Sequence, residues 1–134
     1  MPHVVIEYSA NLETSIAPAR LVEITHKAVL ANPAFELAAV RTRAIRYEHF
    51  MIADGDPDNA FVAVTIRIGP GRDAATRKAA SEQVAGQLAE ALAEAFERRG
   101  LGLSVEVCEL DDAGMSRKNN LHARMRAKAA GPVA

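Results

Sequence analysis

Three things are scarce in this chain. It has one cysteine, Cys108, in 134 residues, so no disulfide can close within it. Neither charge is in excess: sixteen Lys and Arg stand against seventeen Asp and Glu. Such a balance gives no electrostatic pull toward nucleic acid or an anionic membrane. No apolar run is long enough to cross a bilayer, and the start lacks the basic-then-apolar pattern of a leader. A cytoplasmic protein with no nucleic-acid and no membrane partner is expected. What remains is ordinary for a globular chain, with 49% apolar and 25% charged residues and enough length for a core of its own.

The chain begins MPHVVIEYSA. Proline is tolerated as the first residue of a strand because it fixes φ and has no amide donor to lose. It also has a second use. With Met1 removed, Pro2 carries a free secondary amine, and such an amine becomes a general base if its surroundings disfavour the charged form.

Residues His3 to Tyr8 are short, apolar and β-branched, followed by the turn residues Ser9-Ala10-Asn11. Pro18 suits a first helical turn, with Leu21, Ile24 and Ala28 at helical spacing and Asn32-Pro33 as a stop. A second strand is predicted from about Ala39 to Tyr47, and residues 54–59 (DGDPDN) read as a loop. The order then repeats. Ala60 to Ile68 is a strand ended by Gly69-Pro70-Gly71, and Asp73 caps a helix with the stripe Val84, Leu88, Leu92 and Phe96, ended by Gly100. Leu103 to Leu110 forms the last strand, with Leu103, Val105 and Val107 on one face and Ser104 and Glu106 on the other. Cys108, inside it, reads as a buried, inert thiol.

This is an α+β pattern: duplicated β-α-β units, about 1–50 and 59–110, in one domain spanning 1–126, with residues 127–134 expected to be a disordered tail. Right-handed crossovers and a four-stranded mixed sheet with two helices on one face bury both helical stripes. The other sheet face is left uncovered, which points to an oligomer. Pairing the halves sets Pro2 opposite Ala60 or Phe61 and Arg41 opposite Ser104 or Glu106. Neither half holds every candidate residue.

Arg41 falls on the strand beside the first and so near Pro2, while Arg72 follows the Gly-Pro-Gly turn. A guanidinium stays charged when half-buried and binds a carboxylate through two parallel bonds. Both arginines could therefore hold an anionic substrate and depress the pKa of Pro2. Arg43 shares the face of Arg41 and ranks below these two. The four histidines, His3, His26, His49 and His122, show none of the close spacing a metal site requires.

Met1-Pro2-His3, VRTRAI at 40–45, ADG at 53–55, AFVAVTIRIGPGR at 60–72 and KNNLHA at 118–123, taken in order, resemble the 5-carboxymethyl-2-hydroxymuconate isomerase family of the tautomerase superfamily. The resemblance covers residues 2 to about 125. It implies a homotrimer with Pro2 as catalytic base, Arg41 and Arg72 binding substrate carboxylates, Arg43 supporting them, and no metal or organic cofactor. The implied reaction is ketonisation of a 2-hydroxymuconate-type dienol in aromatic-acid breakdown. Two other readings stay open. One is a non-catalytic trimeric binding module on the same fold; the other is a hydratase or dehalogenase of an unsaturated acid, which would need Glu7 or Glu106 to activate water.

Overall fold

A four-stranded sheet in the order β2-β1-β3-β4 organises the computed structural model, which describes residues 2–131. The strands are β1 (His3–Ser9), β2 (Arg41–Tyr47), β3 (Ala60–Ile68) and β4 (Leu101–Glu109). β1 runs parallel to β2, β3 runs parallel to β4, and the two pairs meet antiparallel along β1 and β3. Each parallel pair needs a crossover. Helix α1 (Pro18–Leu30) supplies the first; α2 (Ala74–Ala91) with the short α3 (Ala93–Arg98) supplies the second. The halves are thus related by an approximate two-fold axis between β1 and β3.

Alternation decides which side chains meet the helices. Val4, Ile6 and Tyr8 of β1 and Val62, Val64, Ile66 and Ile68 of β3 are buried on the covered face. There they join Leu21, Ala28 and Val29 of α1 and Ala80, Val84 and Leu88 of α2 in one hydrophobic cluster that runs through both halves. The opposite face is half-exposed, and the side chains of Glu7 and Tyr47 meet on it, the tyrosine hydroxyl donating to the carboxylate at 2.6 Å. The expected strand order within each half, the helix positions and the uncovered face are all found.

Several details differ from expectation. β2 starts at Arg41, because Leu37–Ala39 close a 3-10 turn, and β4 spans 101–109 rather than 103–110. Asp73 does cap α2, accepting from the Thr76 amide at 2.8 Å. Phe96 is exposed rather than buried. Steps of four residues advance about 40° each around a helix, so three steps from Val84 carry Phe96 about 120° off the stripe, whereas Ala95 returns to within about 20° of it. Ala95 is buried in its place, and the helix also breaks at Leu92. Cys108 lies on the same face as Ser104 and Glu106 and is half-buried, not enclosed.

The register also revises the pairing of halves. Val4, Ile6 and Tyr8 share the covered face with Ala60, Val62 and Val64, so the halves match only in steps of two residues, which admits Ala60 and not Phe61 as the counterpart of Pro2. His3 then matches Phe61, and since His3 pairs with Arg41 and Phe61 with Gly102, the counterpart of Arg41 is Gly102 rather than Ser104 or Glu106. Beyond β4, a 3-10 turn at Asp112–Gly114 leads to helix α4 (Leu121–Ala129), which packs against the Leu37–Ala39 turn. Helix α4 runs three residues into the segment expected to be disordered; residues 132–134 of that segment lie outside the described residues.

Candidate active site

Pro2 is buried at the start of β1, where its carbonyl accepts the Arg41 amide at 3.1 Å. The next residues along β1 and β2 pair in register, so Pro2 stands at the N-terminal corner of a parallel strand pair. Removal of Met1 falls outside the described residues. A hollow of about 370 Å³ opens beside Pro2, walled by Ala34 to Glu36, by Arg72, and by Arg117, Asn119 and His122 from the C-terminal segment.

Arg72 reaches this hollow because of the turn before it. Gly71 has φ +114°, a backbone conformation that side-chain-bearing residues rarely adopt, and it turns the chain between Ile68 and the cap of α2. The Arg72 guanidinium donates to the Ala34 carbonyl at 2.9 Å and lies 5.3 Å from the centroid of the Phe35 ring. Its backbone is held as well: Arg77, one turn into α2, donates to the Arg72 carbonyl and to Glu109, each at 2.7 Å.

Arg41 is placed differently. It donates to the Ala39 carbonyl at 2.9 Å and lines an adjoining hollow of about 340 Å³ with His3, Lys118 and Asn119. Arg117 and Asn119 line both hollows. Arg43 is exposed on the uncovered face, its guanidinium 3.2 Å from Nδ1 of His3. Pro2 and Arg72 therefore share one hollow, Arg41 borders its neighbour, and Arg43 borders neither.

The charged side chains that act on His3 have one sign. Burial, then the guanidinium groups of Arg43, Arg41 and Arg67, hold the His3 imidazole below its ordinary pKa. Glu7 and Glu106, the residues a water-activating reading would need, do not line the Pro2 hollow: Glu7 accepts from Tyr47, and Glu106 is exposed on β4, the edge strand on the far side of the sheet from β2. Glu36 does line it and is bridged by His122 at 3.3 Å. Among the described residues no three His, Cys, Asp or Glu side chains gather as a metal would require.

Sequence reasoning placed Pro2, Arg41 and Arg72, and it missed Phe35, Glu36, Arg117, Asn119 and His122 as walls of the site. The last two lie within the KNNLHA motif at 118–123, which carries the resemblance but does not say which of its residues face Pro2. A larger hollow, about 590 Å³, runs along α4 between Arg124 and Gly131. It is bounded by residues of that helix and its end, and it contains none of the candidate groups.

The corner opposite, related by the approximate two-fold, holds a smaller hollow of about 270 Å³ and is spanned by an arginine. Arg99 is almost wholly buried there, its side chain 6% exposed. It donates to the carbonyls of Asn11 and Asp58 and to the hydroxyls of Thr14 and Ser15, at 3.0–3.1 Å.

Paired β-α-β units with a proline at one sheet corner and arginines around it define a tautomerase-type protein. Fold comparison agrees: a fused 4-OT symmetric trimer superposes with a TM-score of 0.59 at 18% identity, covering 87% of this chain and 92% of that one. The family is narrower than the fold. The family model for 5-carboxymethyl-2-hydroxymuconate isomerase matches residues 2–125. The 5-carboxymethyl-2-hydroxymuconate Delta-isomerase of Escherichia coli is 32% identical over 123 residues, covering 92% of this chain and 98% of that protein. The crystal structure of a 5-carboxymethyl-2-hydroxymuconate isomerase from Deinococcus radiodurans R1 is similar at 36% identity and a TM-score of 0.85, over 93% of this chain and 94% of that one. The chain belongs to the 5-carboxymethyl-2-hydroxymuconate isomerase family.

Proposed function

We propose that this protein is a cytoplasmic isomerase that ketonises 5-carboxymethyl-2-hydroxymuconate, or a dienol of that type, with Pro2 as general base after loss of Met1. The observation that carries this reading is the shared hollow of Pro2 and Arg72 beside a cationic strand pair. Guanidinium groups that disfavour protonation of His3 act in the same direction on an amine one residue away, bringing a secondary amine toward the working pH.

The chemistry needs one mobile proton. Pro2 nitrogen takes the proton from the 2-hydroxyl, and the oxygen's electron pair forms the 2-oxo group. The double bonds shift to C3–C4, and the proton on Pro2 passes to C5. No atom is gained or lost. Arg72 and Arg41 hold carboxylates through paired bonds, and a guanidinium facing the developing oxyanion contributes about 3–4 kcal/mol to the transition state, by analogy with other oxyanion donors. Metal and organic cofactors have no step in this scheme.

Residues of the uncovered sheet face, Val5 and Phe61 among them, are half-buried in the single chain. A trimer built on that face would cover them, which supports the family's implied assembly.

The test pairs the intact mass with the ketonisation rate for the processed protein, for Pro2→Ala and for a form that keeps Met1. Large losses in both altered forms support the base. Equal rates in all three would reduce Pro2 to the start of a strand.

A further inference from the structure

The geometry points to Arg117 as the anchor for a third substrate carboxylate, and so as the residue that separates a triacid from a diacid. This rests on the isomerase reading above and goes beyond it by assigning a residue to the carboxymethyl branch. A 5-carboxymethyl muconate carries three carboxylates, one at each end of the six-carbon chain and one on the branch. Arg72 faces the hollow of Pro2, Arg41 faces the adjoining one, and Arg117 borders both. Three guanidinium groups meet three carboxylates.

Charge agrees with that count. The two hollows together are lined by Arg41, Arg72, Arg117 and Lys118 against one carboxylate, Glu36, which His122 already bridges. In a chain with nearly equal charges overall, this is a local excess suited to a polyanion of small size. Arg117 is also tethered: one Nη donates to Asp112 at 2.7 Å in an exposed ion pair, which uses one of its five donors and leaves four for a ligand. Its side chain is 42% exposed, so it can be reached from solvent. Lys118 offers a point charge without the planar fork. The branch leaves the substrate at C5, the carbon that receives the proton, so holding the branch also fixes C5 relative to Pro2.

The test measures binding of two unreactive saturated acids, 2-(carboxymethyl)adipate and adipate, by calorimetry, together with kcat and KM for 5-carboxymethyl-2-hydroxymuconate and 2-hydroxymuconate. The processed protein, Arg117→Ala and Arg117→Lys are compared. The unaltered protein should prefer the triacid by about tenfold, the scale of one charge-assisted contact. Arg117→Ala should abolish that preference through KM for the triacid, and Arg117→Lys should keep part of it. A preference that survives in Arg117→Ala, or that is missing from the unaltered protein, overturns the assignment. If Arg117→Ala does not fold, Arg117→Lys decides: an undiminished preference overturns the assignment and a reduced one supports it. An Arg117-dependent preference without turnover of either dienol would sink the isomerase reading and leave this subsite standing.

Discussion

Phe35 lies beneath Arg72, with 5.3 Å between the guanidinium carbon and the ring centroid. The ring is nearly buried, so it serves as a wall that sets where the cation stands. A cation over an aromatic face gains about 0.5–1 kcal/mol at a half-exposed site. Phe35→Leu should therefore raise KM roughly two- to fivefold with a smaller effect on kcat. Steady-state kinetics on a muconate-type dienol checks this, and Arg72→Ala should cost more in both parameters.

Gly71→Ala tests the turn that aims Arg72. A Cβ there meets no neighbour, yet φ is +114°, so the penalty is conformational. A strained residue of this kind costs on the order of 1–3 kcal/mol. A lower urea midpoint is expected, along with a higher KM if the chain relieves strain by moving Arg72. Gly69→Ala is the control: it also has open space but no positive φ, and it should change little.

His3 makes stability depend on pH. Its imidazole sits below the usual value through burial and the nearby arginines, so the unfolded chain binds the proton more readily. The stabilising contribution is whole above the unfolded value of about 6.5 and is lost as pH falls through the lower folded one. Urea unfolding of the unaltered protein at a series of pH values from 5 to 8 should show this decline. His3→Gln should flatten it in that window.

Arg99→Leu tests the corner opposite Pro2. The buried guanidinium joins the turn after β1 to the linker before β3 through four acceptors. Its loss removes these four bonds from a charged donor, and the Asn11 carbonyl keeps the Thr14 hydroxyl; a hydrogen bond to a charged group contributes about 1.5–3 kcal/mol, less where water reaches the acceptor. The melting temperature should drop by several degrees, while Pro2 and Arg72, at the other corner, keep their geometry and KM stays close to its starting value.

Most of the fold was legible because each element carried its own period. β3 alternates over nine residues, Asp73 caps α2, and Pro18 opens α1, so strands and helices could be placed from local chemistry. Phe96 and Cys108 misled for related reasons: one lies where four-residue steps have drifted off the stripe, the other where alternation leads to the uncovered face. Pro2, Arg41 and Arg72 were legible because strand starts and Gly-rich turns are fixed points of the topology. The remaining walls were not, since residues 34–36 and 117–122 meet only through the packing of α4 against the Leu37–Ala39 turn. Sequence spacing holds no record of that contact.

The approximate two-fold gives each chain two corresponding corners, one lined by Pro2 and one braced by Arg99. In an assembly of identical half-length subunits, every substitution would strike both corners at once, and a residue good for catalysis would be imposed wherever its copy fell. Joining the halves in one polypeptide ends that obligation. One corner is free to drift toward chemistry while the other hardens into a clasp, and the longer chain gives up a possible second workplace for a more firmly fastened frame.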